Sequence, residues 1–95
     1  MQFEWDEEKD KLNRKKHGIG FREALPAFLD PKRIERIDRE HSTLEEERVD
    51  IIGRVKDSLL VFGVYTGRNS RIRIISVRKA KREEINEYYR DYDAR

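Results

Sequence analysis

Between Arg68 and Arg82 the chain reads RNSRIRIISVRKAKR, seven lysines and arginines and no acid threaded through isoleucine and valine. An extended segment that buries one edge of its side chains holds its arginines at fixed pitch. Each guanidinium is a planar fork that meets phosphate bidentately. A row of such forks on a sheet suits a phosphodiester, so RNA or DNA is the first ligand class to consider. Other chemistries lack their parts. Without a cysteine there is neither a thiolate nucleophile nor a disulfide frame. His17 and His41 share no HxH or HExxH spacing, and Glu45, Glu46 and Glu47 alternate faces on an extended chain, so no metal site follows. Gly18-Ile19-Gly20 lacks the further glycine and the preceding strand of a dinucleotide fingerprint. Neither a phosphate loop nor a nucleophile elbow occurs.

The net charge is only +2, yet residues 68–82 carry +7 while Glu35 to Asp50 holds seven acids against three arginines. Local fields, not the total, would steer a partner. Ninety-five residues with no repeat fit a single domain over 1–95 with one core under a heavily charged skin. The missing cysteines suit a reducing compartment, and the longest apolar run, Leu59 to Tyr65, is far shorter than the ~20 residues a membrane helix needs. The N-terminus has no apolar signal-like core, and a cytoplasmic chain without membrane contact is expected.

Certain elements must position these residues. Phe3 and Trp5 alternate around Glu4 as in a strand. Asp6 then stands as N-cap to a helix that ends in Arg14-Lys15-Lys16-His17 and stops at Gly18. Leu12 is its one aliphatic residue, so Trp5, Ile19 and Phe21 must anchor it. Phe21, Ala24, Leu25 and Phe28 mark a core-facing helix up to Asp30-Pro31, with Pro26 either kinking it or delaying its start. Ile34 and Ile37 suggest a short strand, and Val49, Ile51, Gly53 and Val55 alternate with Arg48, Asp50, Ile52 and Arg54 in a longer one. Leu59–Thr66 and Arg71–Arg78 complete an antiparallel meander. In the last strand Ile72 and Ile74 share one face, but Ile75 and Val77 fall on the other, so either both faces are covered or a bulge near Ile74 switches them. Ile85, Tyr88, Tyr89 and Tyr92 mark a final helix from about Lys81. The fold class is α+β: a strand and two helices, a meander, and a C-terminal helix.

Taken in order, three stretches resemble one family. They are Trp5-Asp6 with Lys9, Asn13 and Lys16-His17-Gly18; Glu47-Arg48 with Ile52-Gly53; and Leu59 to Arg68 followed by Ile72 to Ala80. Over residues 3 to 92 the set is similar to the BrnT toxins of bacterial type II toxin–antitoxin systems. It departs at Gly20, where serine or aspartate is common, and at Val77 in the SVR of the last strand. The resemblance implies a RelE/ParE-like fold and a ribonuclease that shuts down translation. It also implies a BrnA-like ribbon-helix-helix antitoxin as partner, with operator DNA engaged only through that partner.

A ribonuclease working without metal or other cofactor must deprotonate the 2′-hydroxyl, stabilise the phosphorane charge and protonate the leaving 5′-oxygen. His17, the one histidine inside the matched motifs, is the candidate proton carrier, against a role in merely closing its helix end. Glu47 is a candidate base, or part of a solvated rim with Arg48. Arg73 and Arg78 are the candidate catalytic cations, and Arg48, Arg68, Lys79 and Lys81 the candidate phosphate contacts, against ion pairing with the acids. Ser76 could donate to a phosphate oxygen or to local backbone, and Tyr88 could stack a base or belong to the core. His41, in a polar loop, receives no role. A non-catalytic nucleic-acid-binding module, or a subunit of a repressor complex, is the alternative reading.

Overall fold

The structure, a computed structural model, describes residues 2–95. Its elements are β1 (Gln2–Glu4), α1 (Glu7–His17), α2 (Phe21–Leu29), β2 (Ile34–Ile37), β3 (Arg48–Lys56), β4 (Leu59–Arg68), β5 (Arg71–Lys79) and α3 (Arg82–Arg90). They form one five-stranded sheet in the order β1-β5-β4-β3-β2, antiparallel except that β1 pairs with β5 in parallel. The α+β class and its element order are those expected from the sequence. No helix among the described residues is long and apolar enough to cross a membrane.

Cross-strand partners project from the same face of a sheet, so the register assigns each face. One face is backed by α1 and α2. Ile51, Val61, Ile74 and Val77 pack there against Ile19, Phe21, Ala24, Ala27 and Phe28, all buried. Each of the Ile, Val and Phe side chains contributes ~1.5–3 kcal/mol through burial. At Gly53 the α2 backbone lies so close that any Cβ would collide with the Ala27 carbonyl. The helix runs through Pro26 from Phe21, so its start is not delayed.

The parity conflict in β5 resolves as a bulge. Val64 pairs with Ser76 and Tyr65 with Ile74, leaving Ile75 unopposed. The extra residue returns Val77 to the helix-backed face and aims Ile75 at the other. The β4–β5 hairpin closes through Asn69 and Ser70, both at positive φ, which suits the twist of a two-residue turn.

Polar side chains, not an apolar stripe, hold α1. Asp6 caps it, accepting from the Glu8 and Lys9 amides. Asn13 is buried, donating to the Ile19 and Val77 carbonyls and accepting from the Val77 amide. Asp10 accepts from the Phe21 amide at 2.8 Å and so caps α2, whose own N-cap, Gly20, has no side chain to do it. Leu12 is 64% exposed and anchors nothing.

The second face is covered only in part. Around Tyr88, α3 buries Ile52 and Leu60. Asp30, just past α2, accepts from the Tyr88 hydroxyl and from the Arg54 and Lys32 amides, tying α2, β3 and α3 together. The rest of this face is open.

Candidate active site

Three rows of side chains cross the second face. Beneath α3 lie Ile34, Ile52, Phe62 and Arg78; the next row is Arg36, Asp50, Val64 and Ser76; the third is Arg48, Thr66, Arg73 and Glu4. Over the middle row the loop between β2 and β3 arches to form a cleft of about 410 Å³. Asp38, His41, Arg48, Asp50, Ile75 and Ser76 line it, with Phe62 and Val64 as its apolar floor.

The loop is built to hold an imidazole. Asp38 Oδ1 accepts from the His41 amide at 3.1 Å, and its Oδ2 lies 2.9 Å from His41 Nδ1. Ser42 Oγ donates to the Asp38 carbonyl and accepts from the Arg48 amide, and the Thr43 hydroxyl accepts from the Glu46 amide. A carboxylate on Nδ1 fixes the ring and leaves Nε2 for a proton. Burial would raise the Asp38 carboxyl, but the His41 side-chain and amide hydrogen bonds outweigh it and hold the group below its ordinary value. Asp50 goes the other way. Burial raises it first, and the charge and hydrogen bond of Asp38 raise it further. One Oδ of Asp50 is buried without a partner. Two carboxyls pushed apart in this way have the signature of an acid and an anion set to different tasks.

The arginines of β5 are all engaged within the chain. Glu4 takes Arg73 at 3.0 Å and Arg71 at 3.4 Å, which straps β1 to the sheet. Glu84 takes Arg78 through both nitrogens at 2.8 Å, and that guanidinium lies 4.4 Å from the Phe62 ring centre. Burial would raise the Glu84 carboxyl, yet Arg78 and the Lys81 amide hold it low. On the other flank Arg36 grips Glu87 at 2.7 Å, so α3 is clipped to the sheet at both edges. The three β5 forks therefore act as clamps, because each faces a carboxylate across a short strand or helix gap.

Other expected site residues separate. His17 ends α1, which packs on the helix-backed side of β5, and it does not line the cleft. Glu47 faces a different groove with Ile37, Ser42 and Leu44. Tyr88 is 1% exposed with its hydroxyl on Asp30, so it is core and unavailable for stacking. Arg48 does reach the cleft, where Glu46 holds it at 3.0 Å, and so does Ser76. Arg68, Lys79 and Lys81 are exposed and make no ion pair among the described residues. The group that sequence reasoning missed is Asp38, His41 and Asp50. Its signal was the Asp-x-x-His spacing ahead of Ser42-Thr43, in which an aspartate accepting its own turn's amide sets a ring on its carboxylate.

A helix-backed sheet whose open face gathers an imidazole–carboxylate pair, a second acid and a guanidinium has the parts of an RNA-cleaving enzyme. The family described as ribonuclease toxin, BrnT, of type II toxin–antitoxin system matches residues 5–84. The chain belongs to that family: it is a ribonuclease toxin, an endoribonuclease with an antitoxin partner. Its fold is similar to the 1.1 Å crystal structure of the Brucella abortus ribonuclease toxin, BrnT. The TM-score is 0.65 at 24% identity over 86% of this chain and 99% of that one, and the likeness bears on the fold alone. No curated protein matches the chain.

Proposed function

We propose that the chain cuts single-stranded RNA without a metal ion in the cleft between the β2–β3 loop and the open sheet face. The observation that carries this reading is the 2.9 Å Asp38–His41 contact, set in the same cleft as Asp50, Arg48 and Ser76. His41 Nε2 takes the 2′-hydroxyl proton as O2′ bonds to phosphorus. The P–O5′ bond breaks, and the Asp50 proton passes to the leaving 5′-oxygen. The products are a 2′,3′-cyclic phosphate and a 5′-hydroxyl. Arg48, exchanging Glu46 for the scissile phosphate, and the Ser76 hydroxyl bear the charge that develops on the equatorial oxygens. The floor of Phe62, Val64 and Ile75 receives one base.

Between the enzyme and the non-catalytic module, family membership selects the enzyme. Arrest of translation, and inhibition by a BrnA-like ribbon-helix-helix antitoxin that also carries the complex to operator DNA, are further parts of this proposal. Purified protein is incubated with end-labelled RNA in excess EDTA. Defined cuts leaving cyclic phosphate ends are expected. Tight, salt-dependent binding without products, or cutting that returns only with added metal, would overturn it.

A further inference from the structure

The basic block divides on folding. The arginines of β5 are neutralised, whereas Arg68 at the hairpin end and, at the opposite end, Lys79, Lys81 and Arg82 make no ion pair among the described residues. A second basic run lies on α1, where Arg14 pairs with Asp10 and leaves Lys15 and Lys16 exposed in the last turn. The two runs meet. Glu4 stands beside Arg73, and nine residues later Asn13 is bonded to Val77, so α1 advances along β5 in the same direction. Lys16 follows Asn13 by one helical turn, and Lys79 follows Val77 by two strand residues. One end of the molecule therefore presents five cations from three elements. Glu83 is the nearby acid left free in the α3 first turn, since Glu84 is held by Arg78.

We infer that Lys15, Lys16, Lys79, Lys81 and Arg82 form a track for the RNA backbone, beside the cleft and separate from it. The inference rests on the cleft being where RNA is cut. Ser76 faces the cleft, whereas Lys79 pairs with Val61 on the helix-backed side; they are three strand residues apart, about 10 Å at ~3.3 Å each, so an RNA strand that occupies both passes round the end of β5. Lysines on exposed ends bind phosphates as point charges and read no sequence, so the track gives affinity and register to a long strand but no base preference. Its occupant is a polyanion because five cations stand there against one free acid, with Leu12 the lone exposed apolar side chain on α1 beside them, less than the apolar core a protein segment would need.

The test uses the full chain and a labelled 20-nucleotide RNA made uncleavable by 2′-O-methylation, with binding followed from low to moderate salt. The triple variant Lys16→Glu, Lys79→Glu, Lys81→Glu should bind at least ~30-fold more weakly at low salt. The milder Lys16→Gln, Lys79→Gln, Lys81→Gln set, which keeps the fold in reserve, should lower the log–log salt slope by roughly 2, at ~0.7 per phosphate contact on a single strand. Unchanged affinity and slope in the glutamine set would overturn the track. So would loss of antitoxin binding with RNA binding intact, which would give the surface to the partner. Failure of the cleft is read separately, by the His41 substitution below, since binding of an uncleavable strand does not need catalysis.

Discussion

At Asp50, burial and the Asp38 charge both favour the protonated carboxyl. Its folded value is therefore raised, so its stabilising contribution is present below the unfolded value of 3.8 and is lost as pH rises through the folded one. Ionising the group therefore works against the fold. Asp50→Asn is expected to raise Tm at pH 7 and to lower cleavage by ~10²–10⁴, since an amide cannot supply the proton. Thermal melts and turnover on one preparation check both. A fall in both would make Asp50 structural only. A residue kept against stability in this way is the usual mark of a working site.

At the scale of elements, α1 is held by hydrogen bonds where an amphipathic helix would use carbon. Asn13→Leu would bury the Val77 amide and the Val77 and Ile19 carbonyls unpaired, at a cost of ~3 kcal/mol. A fall in Tm of at least ~10 °C is expected for a domain of this size, and a change under ~2 °C would show that water replaces the amide. This is also where sequence reading stops short. Helix α1 was legible from Asp6 and Gly18 because caps are local, and the meander from its turns and alternation. The bulge at Ile75 showed only as a parity conflict. The polar anchors Asp10 and Asn13 look like surface residues until the Phe21 amide arrives 11 positions after the first and β5 arrives 64 positions after the second. For the same reason the sequence leaves the β5 arginines open between phosphate binding and ion pairing, because Glu4 and Glu84 become their neighbours only through the β1–β5 pairing and the docking of α3. His41 shows in the sequence only as a loop residue in an Asp-x-x-His spacing, and it gains a role once the fold sets it over a cleft.

For the molecule as a whole, carboxylates join its parts. Burial would raise Asp30, but hydrogen bonds from Tyr88 and the Arg54 and Lys32 amides hold it below 3.8, and Glu84 is likewise held below 4.5. Lowered folded values mean stability present above the unfolded values and lost as pH falls through the folded ones. Melts between pH 7 and pH 2 should show Tm falling steeply below about pH 4, with Glu84→Gln removing part of that slope and a flat profile contradicting the scheme. The two Arg–Glu clips on α3 border the open half of the sheet, and the proposed mechanism requires the loop imidazole there to move the proton. Cleavage of labelled single-stranded RNA in EDTA by wild type, His41→Ala and His17→Ala measures that directly. The expected result is a loss of at least ~100-fold in His41→Ala. Cutting by His41→Ala at the wild-type rate, or a comparable loss on replacing His17 instead, would contradict it.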